Sequence, residues 1–199
     1  MVPLGVRRRQ PLVYRNASPG FSSGCWPTTP EQYVAFVRRA IAAVGPMVAV
    51  ATQDWMCEPH MIARTGLSVA EHQRRTVESF LRLRELAPEV PWMPTLQGYT
   101  VDDYLRCIEM FIAAGVDLAA EALVGLGSVC RRSSTPELVA VICAVLRAVP
   151  GINLHGFGVK GEGTLLSCLD LRSVDSDAWS SRGRGLEVEM RRACGFRAK

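Results

Sequence analysis

The sequence predicts an α/β fold of parallel strands, a short or incomplete TIM-like (β/α) barrel. Three observations point there. Apolar strand-like runs alternate with stretches of helical periodicity along the chain, about six strands in all. Distinct polar or glycine-rich tips follow several of the runs instead of clustering at one point, which disfavours an open doubly wound sheet. The chain has 199 residues, whereas a full barrel of this kind takes about 250.

The elements follow in order. Residues Pro11 to Arg15 read as a short strand, and a loop of small residues runs from Asn16 to Gly24. Thr29-Pro30-Glu31 opens a helix, with threonine as cap and proline in the first turn. Its stripe is Tyr33, Phe36, Val37, Ala40, Ile41 and Val44, and Gly45-Pro46 ends it. Met47 to Ala51 is a buried strand, with residues 52–59 as the tip after it. Ser68-x-x-Glu71 starts a second helix striped by Val69, His72, Thr76, Val77, Phe80 and Leu83. Arg74, Arg75, Arg82 and Arg84 lie on its wet face.

The central unit is Met93 to Arg132. Met93 to Leu96 is a strand, and Gln97-Gly98 ends it. Thr100 and Asp103 form a capping box for a helix closed by Gly115. Ala119 to Val124 is the next strand, and Gly125-Leu126-Gly127-Ser128 is its tip. Thr135-Pro136-Glu137 opens another helix. Strands follow at Ile152 to Phe157, with Gly158-Val159-Lys160 at the tip, and at Leu171 to Val174, before Asp175-Ser176-Asp177. Residues 1–182 make the barrel domain, and 183–199 make a basic, peripheral tail.

Composition narrows the function classes. With 48% hydrophobic and 21% charged residues, the chain has the make-up of a soluble globular protein. A net charge of +4 permits a nucleic-acid partner without demanding one. No apolar run spans a bilayer and the start lacks a signal-peptide core, so a cytoplasmic location is expected. The seven cysteines are odd in number, widely spaced and without a Cys-x-x-Cys, which predicts reduced, mostly buried thiols. The three histidines join them in no zinc-like spacing. No GxGxxG or P-loop occurs, which lowers the weight of nucleotide-cofactor folds.

If the sheet closes, Asp54, Gln97, Gly125 to Ser128, Lys160 and Asp175 converge on one mouth. Two carboxylates, an amide and backbone N–H groups there suit a flat heterocycle. An Asp accepts from adjacent ring N–H and amino groups, and a Gln or a glycine N–H donates to a carbonyl oxygen. A second Asp is able to attack a sugar anomeric carbon. The plainer reading is that these acids cap helices.

The stretches Gln53-Asp54-Trp55-Met56-Cys57-Glu58-Pro59, Leu96-Gln97-Gly98, Val124 to Arg132, His155 to Lys160 and Val174-Asp175-Ser176 stand in order over about Asn16 to Arg182. Together they resemble the guanine transglycosylase superfamily, most closely its DNA-modifying DpdA-like branch, beside the tRNA-guanine and archaeosine enzymes. The resemblance implies a TIM-like barrel that exchanges guanine in DNA or tRNA for a 7-deazaguanine. It implies that Asp175 is the nucleophile, with Asp177 the alternative. Asp54 would hold the base at its N1 and amine edge, and Gln97 with the backbone of Gly125 and Leu126 would contact the O6 side. Arg131, Arg132 and Lys160 would bind phosphate, although Arg131-Arg132 also reads as a solvated pair. Cys130 reads as buried and His155 as a core histidine. Trp55 and Trp179 suit base stacking and core packing equally.

Two departures stand out. The family's early Asp-Ser-Gly-Gly-Phe is matched here by Ala17-Ser18-Pro19-Gly20-Phe21, so an acid–base carboxylate is absent. Many relatives end in a cysteine–histidine zinc cluster. Here Cys194 stands alone in the tail and no histidine follows His155, so no metal or other cofactor is expected. These losses also fit a catalytically impaired or noncatalytic subunit, working as a homodimer or beside a complete paralogous partner.

Overall fold

The computed structural model describes residues 13–14, 24–130, 132, 136–158 and 171–174. Asp175, Arg131, Lys160, Ala17, Trp179 and the basic tail lie outside these residues.

Seven short strands are all parallel to their neighbours: β1 (Val13–Tyr14), β2 (Ala49–Ala51), β3 (Trp92–Met93), β4 (Thr95–Leu96), β5 (Val124–Leu126), β6 (Leu154–Gly156) and β7 (Ser173–Val174). They form a sheet of order β1-β2-β3 and one of order β4-β5-β6-β7. The run expected as one strand, Met93 to Leu96, is split at Pro94. Proline has no N–H to give to a ladder, and the Pro94 carbonyl accepts from Gly125 N at 2.8 Å. The chain thus pairs with β2 before Pro94 and with β5 after it. Strand order follows chain order without a reversal, unlike a doubly wound sheet. Among the described residues no ladder joins β7 back to β1.

The helices are α1 (Pro30–Val44), α2 (Pro59–Thr65), α3 (Val69–Leu86), α4 (Val101–Ala113) and α5 (Pro136–Ala148). Local chemistry sets their starts. Thr29 and Gln32 cap α1 reciprocally, and Thr100 and Asp103 do the same for α4. Ser68 accepts from Glu71 N at the start of α3. The one helix that sequence periodicity does not give is α2, a two-turn piece with Pro59 in its first turn and Gly66 in a left-handed cap at φ 68°.

Helices α1, α3, α4 and α5 pack each on the next. They share one core with Val50, Trp92, Leu96, Val124, Leu126 and Leu154 of the strands. Alternation along a strand sends the intervening residues to the other face. There Ala49, Ala51, Met93, Leu123 and Phe157 form a second, smaller cluster. The arginines of α3 are its wet face as expected: Arg74 and Arg75 pair with Glu71, Arg82 with Glu85 and Glu31, and Arg84 with Glu121.

One strand is shifted from its expected place. Residues 118–120 form a turn in which Asp117 Oδ1 accepts from Ala119 N and Ala120 N at 3.1 and 3.3 Å. The strand instead begins at Val124 and includes Gly125 and Leu126, which therefore belong to β5 and not to the tip beyond it. The thiols also differ from expectation. Cys57 and Cys107 are buried, whereas Cys25 and Cys130 are exposed.

The rings of Phe80 on α3 and Phe111 on α4 meet edge to face at 5.7 Å, both fully buried. Phe111→Ala removes this contact and opens a cavity. A loss of about 3–5 kcal/mol is expected in urea unfolding.

Candidate functional site at the strand ends

The loop after β2, residues 52–58, is fixed by hydrogen bonds along its length. Tyr33 donates its hydroxyl to Ala51 O at 2.7 Å, and Gln53 donates Nε2 to Thr28 O at 2.9 Å. Trp55 N donates to Thr76 Oγ1 at 2.9 Å, and Cys57 N to Ser128 Oγ at 2.8 Å. The His72 ring bridges Met56 O at 2.7 Å and Thr65 Oγ1 at 2.8 Å. Neutral imidazole satisfies both partners, with Nδ1–H donating to Met56 and Nε2 accepting from Thr65. Burial pushes the pKa of His72 down, against the opposing pull of the Met56 carbonyl.

This loop presents Asp54, half-buried, to Gln97 Nε2, which donates to its Oδ2. The Gln97 side chain is fully buried, and its Oε1 lies 2.7 Å from Ser128 Oγ. Ser128 Oγ lies 2.9 Å from Glu58 Oε2 as well. One hydroxyl therefore serves a backbone N–H, an amide oxygen and a carboxyl group. Glu58 stands at the N-cap of α2 without capping it, because its carboxyl group is turned to Ser128. Ser128 has φ 57°, the left-handed region, and is the one non-glycine residue there among the described residues. Such a backbone costs a serine about 1–2 kcal/mol, a strain characteristic of residues held in place by a site.

Absent side chains make the room. A Cβ on Gly127 would overlap Gln97 Nε2 and stand 2.7 Å from its Cδ. A Cβ on Gly125 would stand 2.5 Å from the Phe157 ring and 3.1 Å from Thr95 Oγ1. The Gly125 N–H is spent on Pro94 O, and Leu126 turns its side chain into the helix-facing core. Gly125, by lacking a side chain, makes room for the Phe157 ring. Below the loop, Gln73 Nε2 donates to Gln97 O at 2.6 Å and to Asp103 O at 2.7 Å, and its Oε1 accepts from Arg106 Nε at 2.8 Å. Burial raises the pKa of Asp103, but hydrogen bonds from Thr100, Tyr99 and Arg106 outweigh it and leave a net lowering.

The structure brings together Asp54, Gln97 and the Gly125–Ser128 segment, as the sequence predicts. Arg132 packs its guanidinium 4.4 Å from the Tyr99 ring centroid and donates to Tyr99 O. Trp55 is covered by Arg75 at 4.5 Å and meets the His72 ring edge-on. His155 is a core residue in β6, with Nδ1 2.9 Å from Ser173 Oγ. Asp175 is the residue that follows Val174, the end of β7, in the sequence. Sequence reasoning missed Glu58, Gln73 and the part played by Ser128. The signals were an acid directly before a helix-opening proline, and Gly127 directly before a polar residue. Among the described residues no three His, Cys, Asp or Glu side chains gather as metal ligands.

A carboxylate backed by a buried amide, at the C-terminal ends of parallel strands, defines a strand-end site of the α/β class. Residues 14–188 match the family described as DpdA: DeoxyPurine in DNA protein A, and the chain belongs to that family. No curated protein sequence matches it. Among solved structures it is similar to octameric ribulose-1,5-bisphosphate carboxylase/oxygenase (Rubisco) from Pyrococcus horikoshii OT3. That similarity has a TM-score of 0.40 and 12% identity, and covers 89% of this chain but 37% of the other. No helix among the described residues is long and apolar enough to cross a membrane.

Two outcomes test this geometry. Gly127→Ala forces Gln97 aside and is expected to cost about 1–3 kcal/mol in urea unfolding. In a Gln97→Ala background the added Gly127→Ala is expected to cost much less than it does in the wild type, because the overlapping atoms are gone. For His72, a folded pKa below the unfolded value of about 6.5 means that the unfolded chain binds more protons between the two. Its contribution is therefore full above about pH 6.5 and is lost as the pH falls. The melting temperature should drop more steeply from pH 7.5 to 5.5 in the wild type than in His72→Gln.

Proposed function

We propose that the protein is a base-exchanging glycosyltransferase that replaces guanine in DNA with a 7-deazaguanine. The observation that carries this is the Asp54–Gln97 pair at the strand ends of a DpdA-family chain. In this reading Asp54 accepts from guanine N1–H and from its exocyclic amine. The target nucleotide leaves its stack to reach the pocket. A carboxylate oxygen of Asp175 attacks C1′ while the bond to the base nitrogen breaks, and guanine leaves with the electron pair and takes up a proton. The incoming base loses a proton from its ring nitrogen, attacks C1′ in turn and frees Asp175. Arg131, Arg132 and Lys160 contact phosphate. The chain works without zinc, and the chain-order parallel sheet supports a barrel as its architecture. tRNA is the alternative polymer.

Ala17 favours a second reading, a catalytically impaired or noncatalytic subunit that binds nucleic acid or a complete paralogue. It supplies no carboxyl group for either proton transfer, and loss of an acid–base group costs about 10²–10⁴-fold in rate.

The test incubates the protein with labelled guanine or a 7-deazaguanine, with DNA and tRNA in parallel. Label is expected to enter DNA, and Asp175→Ala is expected to abolish it. Folded wild-type protein that labels neither polymer rejects the enzyme reading. A rise of about 10²-fold or more in Ala17→Asp would then identify an impaired enzyme.

A further inference from the structure

We propose that Ser128 is a positioning residue that acts through Gln97 to fix the edge that Asp54 presents to a bound base. The inference rests on the base-binding role proposed above for Asp54. A glutamine amide has nearly the same shape either way round, so its partners decide which end points where. Ionised Asp54 only accepts, so Gln97 must turn its N–H group to it. That leaves Oε1 facing inward, where the buried Ser128 hydroxyl, 2.7 Å away, offers it a proton. The hydroxyl oxygen accepts from Cys57 N at 2.8 Å, and Gln97 Oε1 is the nearer of the two acceptors for its one proton, Glu58 Oε2 lying 2.9 Å away. Gly127 has no Cβ, and the Gln97 amide lies where one would stand, so the chain here admits it in this position. The unfavourable φ of 57° at Ser128 is retained because it delivers this hydroxyl.

Without the lock, the amide turns over or drifts and the carboxylate loses its fixed edge. Guanine offers a ring N–H and an adjacent amine to two carboxylate oxygens, whereas hypoxanthine offers the ring N–H alone. The ratio of their affinities therefore reads the setting of Asp54. A merely structural loss weakens both bases equally and leaves the ratio unchanged.

Calorimetric titration with guanine and with hypoxanthine would compare the wild type with Ser128→Ala and Ser128→Gly. Ser128→Gly relieves the positive φ, which guards against a misfolded variant. The guanine preference is expected to fall about tenfold in both. An unchanged ratio in the Ser128 variants overturns the proposal. A second readout needs no ligand: the Gln97 side-chain amide protons, assigned by their loss in Gln97→Glu, should exchange slowly in the wild type and fast in Ser128→Ala. Equal exchange in both overturns the lock. Wild-type protein that binds neither base rejects the base-binding reading, and the amide exchange still decides the lock.

Discussion

Beyond the last residue of each parallel strand, backbone and side-chain polar groups must find partners that the ladder no longer supplies. In this protein the Ser128 hydroxyl gathers three of them. It takes the Cys57 N–H, and it stands between the Gln97 amide oxygen and the Glu58 carboxyl group. Through these bonds the ends of β2, β4 and β5 are tied at one atom. Buried polar groups without partners cost about 1–3 kcal/mol each, so a knot of this kind forms complete or not at all. The left-handed backbone of Ser128 is the strain the knot imposes.

The sheet beneath is shaped to leave space above it. Its helix-facing side is filled by large residues such as Trp92, Leu96 and Leu154, while the opposite side has Ala49, Ala51 and Gly125. Phe157 lays its ring over Gly125, and Thr95, fully buried, stands beside them. The face away from the helices thus carries the Phe157 ring over Gly125 with buried Thr95 beside them, and the Asp54–Gln97–Ser128 bonds stand at the strand ends. Tyr104 adds a tie from the helix layer, donating its hydroxyl to Gly127 O at 2.7 Å, and its burial raises its pKa well above the ordinary tyrosine value. Helix, strand and loop are therefore fixed to one another within a few ångströms of Gln97.

Elements governed by local rules were legible in the sequence. Thr29-Pro30-Glu31 and Thr100-x-x-Asp103 mark the starts of α1 and α4, because a cap is a contact between residues three apart. The stripe of α3 was also legible, and in the folded chain Val77, Phe80 and Leu83 are buried. Register was not, since it depends on partners far away. Apolar residues from Ala119 onward read as a strand, but the β4 pairing and the Asp117 turn place the ladder at Val124–Leu126. Met93 to Leu96 read as one strand, but Pro94 splits it and the chain changes neighbours there. Within the site, Asp54 and Gln97 could be named as polar residues after apolar runs. Glu58 could not, because its partner is 70 positions away in the sequence.

That separation has a bearing on how the protein comes into being. The bonds that complete the site join Asp54 to Gln97 across 43 positions and Cys57 to Ser128 across 71. Contacts closing long loops form late, since chain entropy must be overcome before they contribute. While the chain is being made, the bonds from residues 52–58 to Thr28, His72 and Thr76 can form first, whereas the Cys57–Ser128 bond must wait until Ser128 emerges. The hydrogen-bonded knot at the strand ends is thus completed only when the segment after β5 arrives.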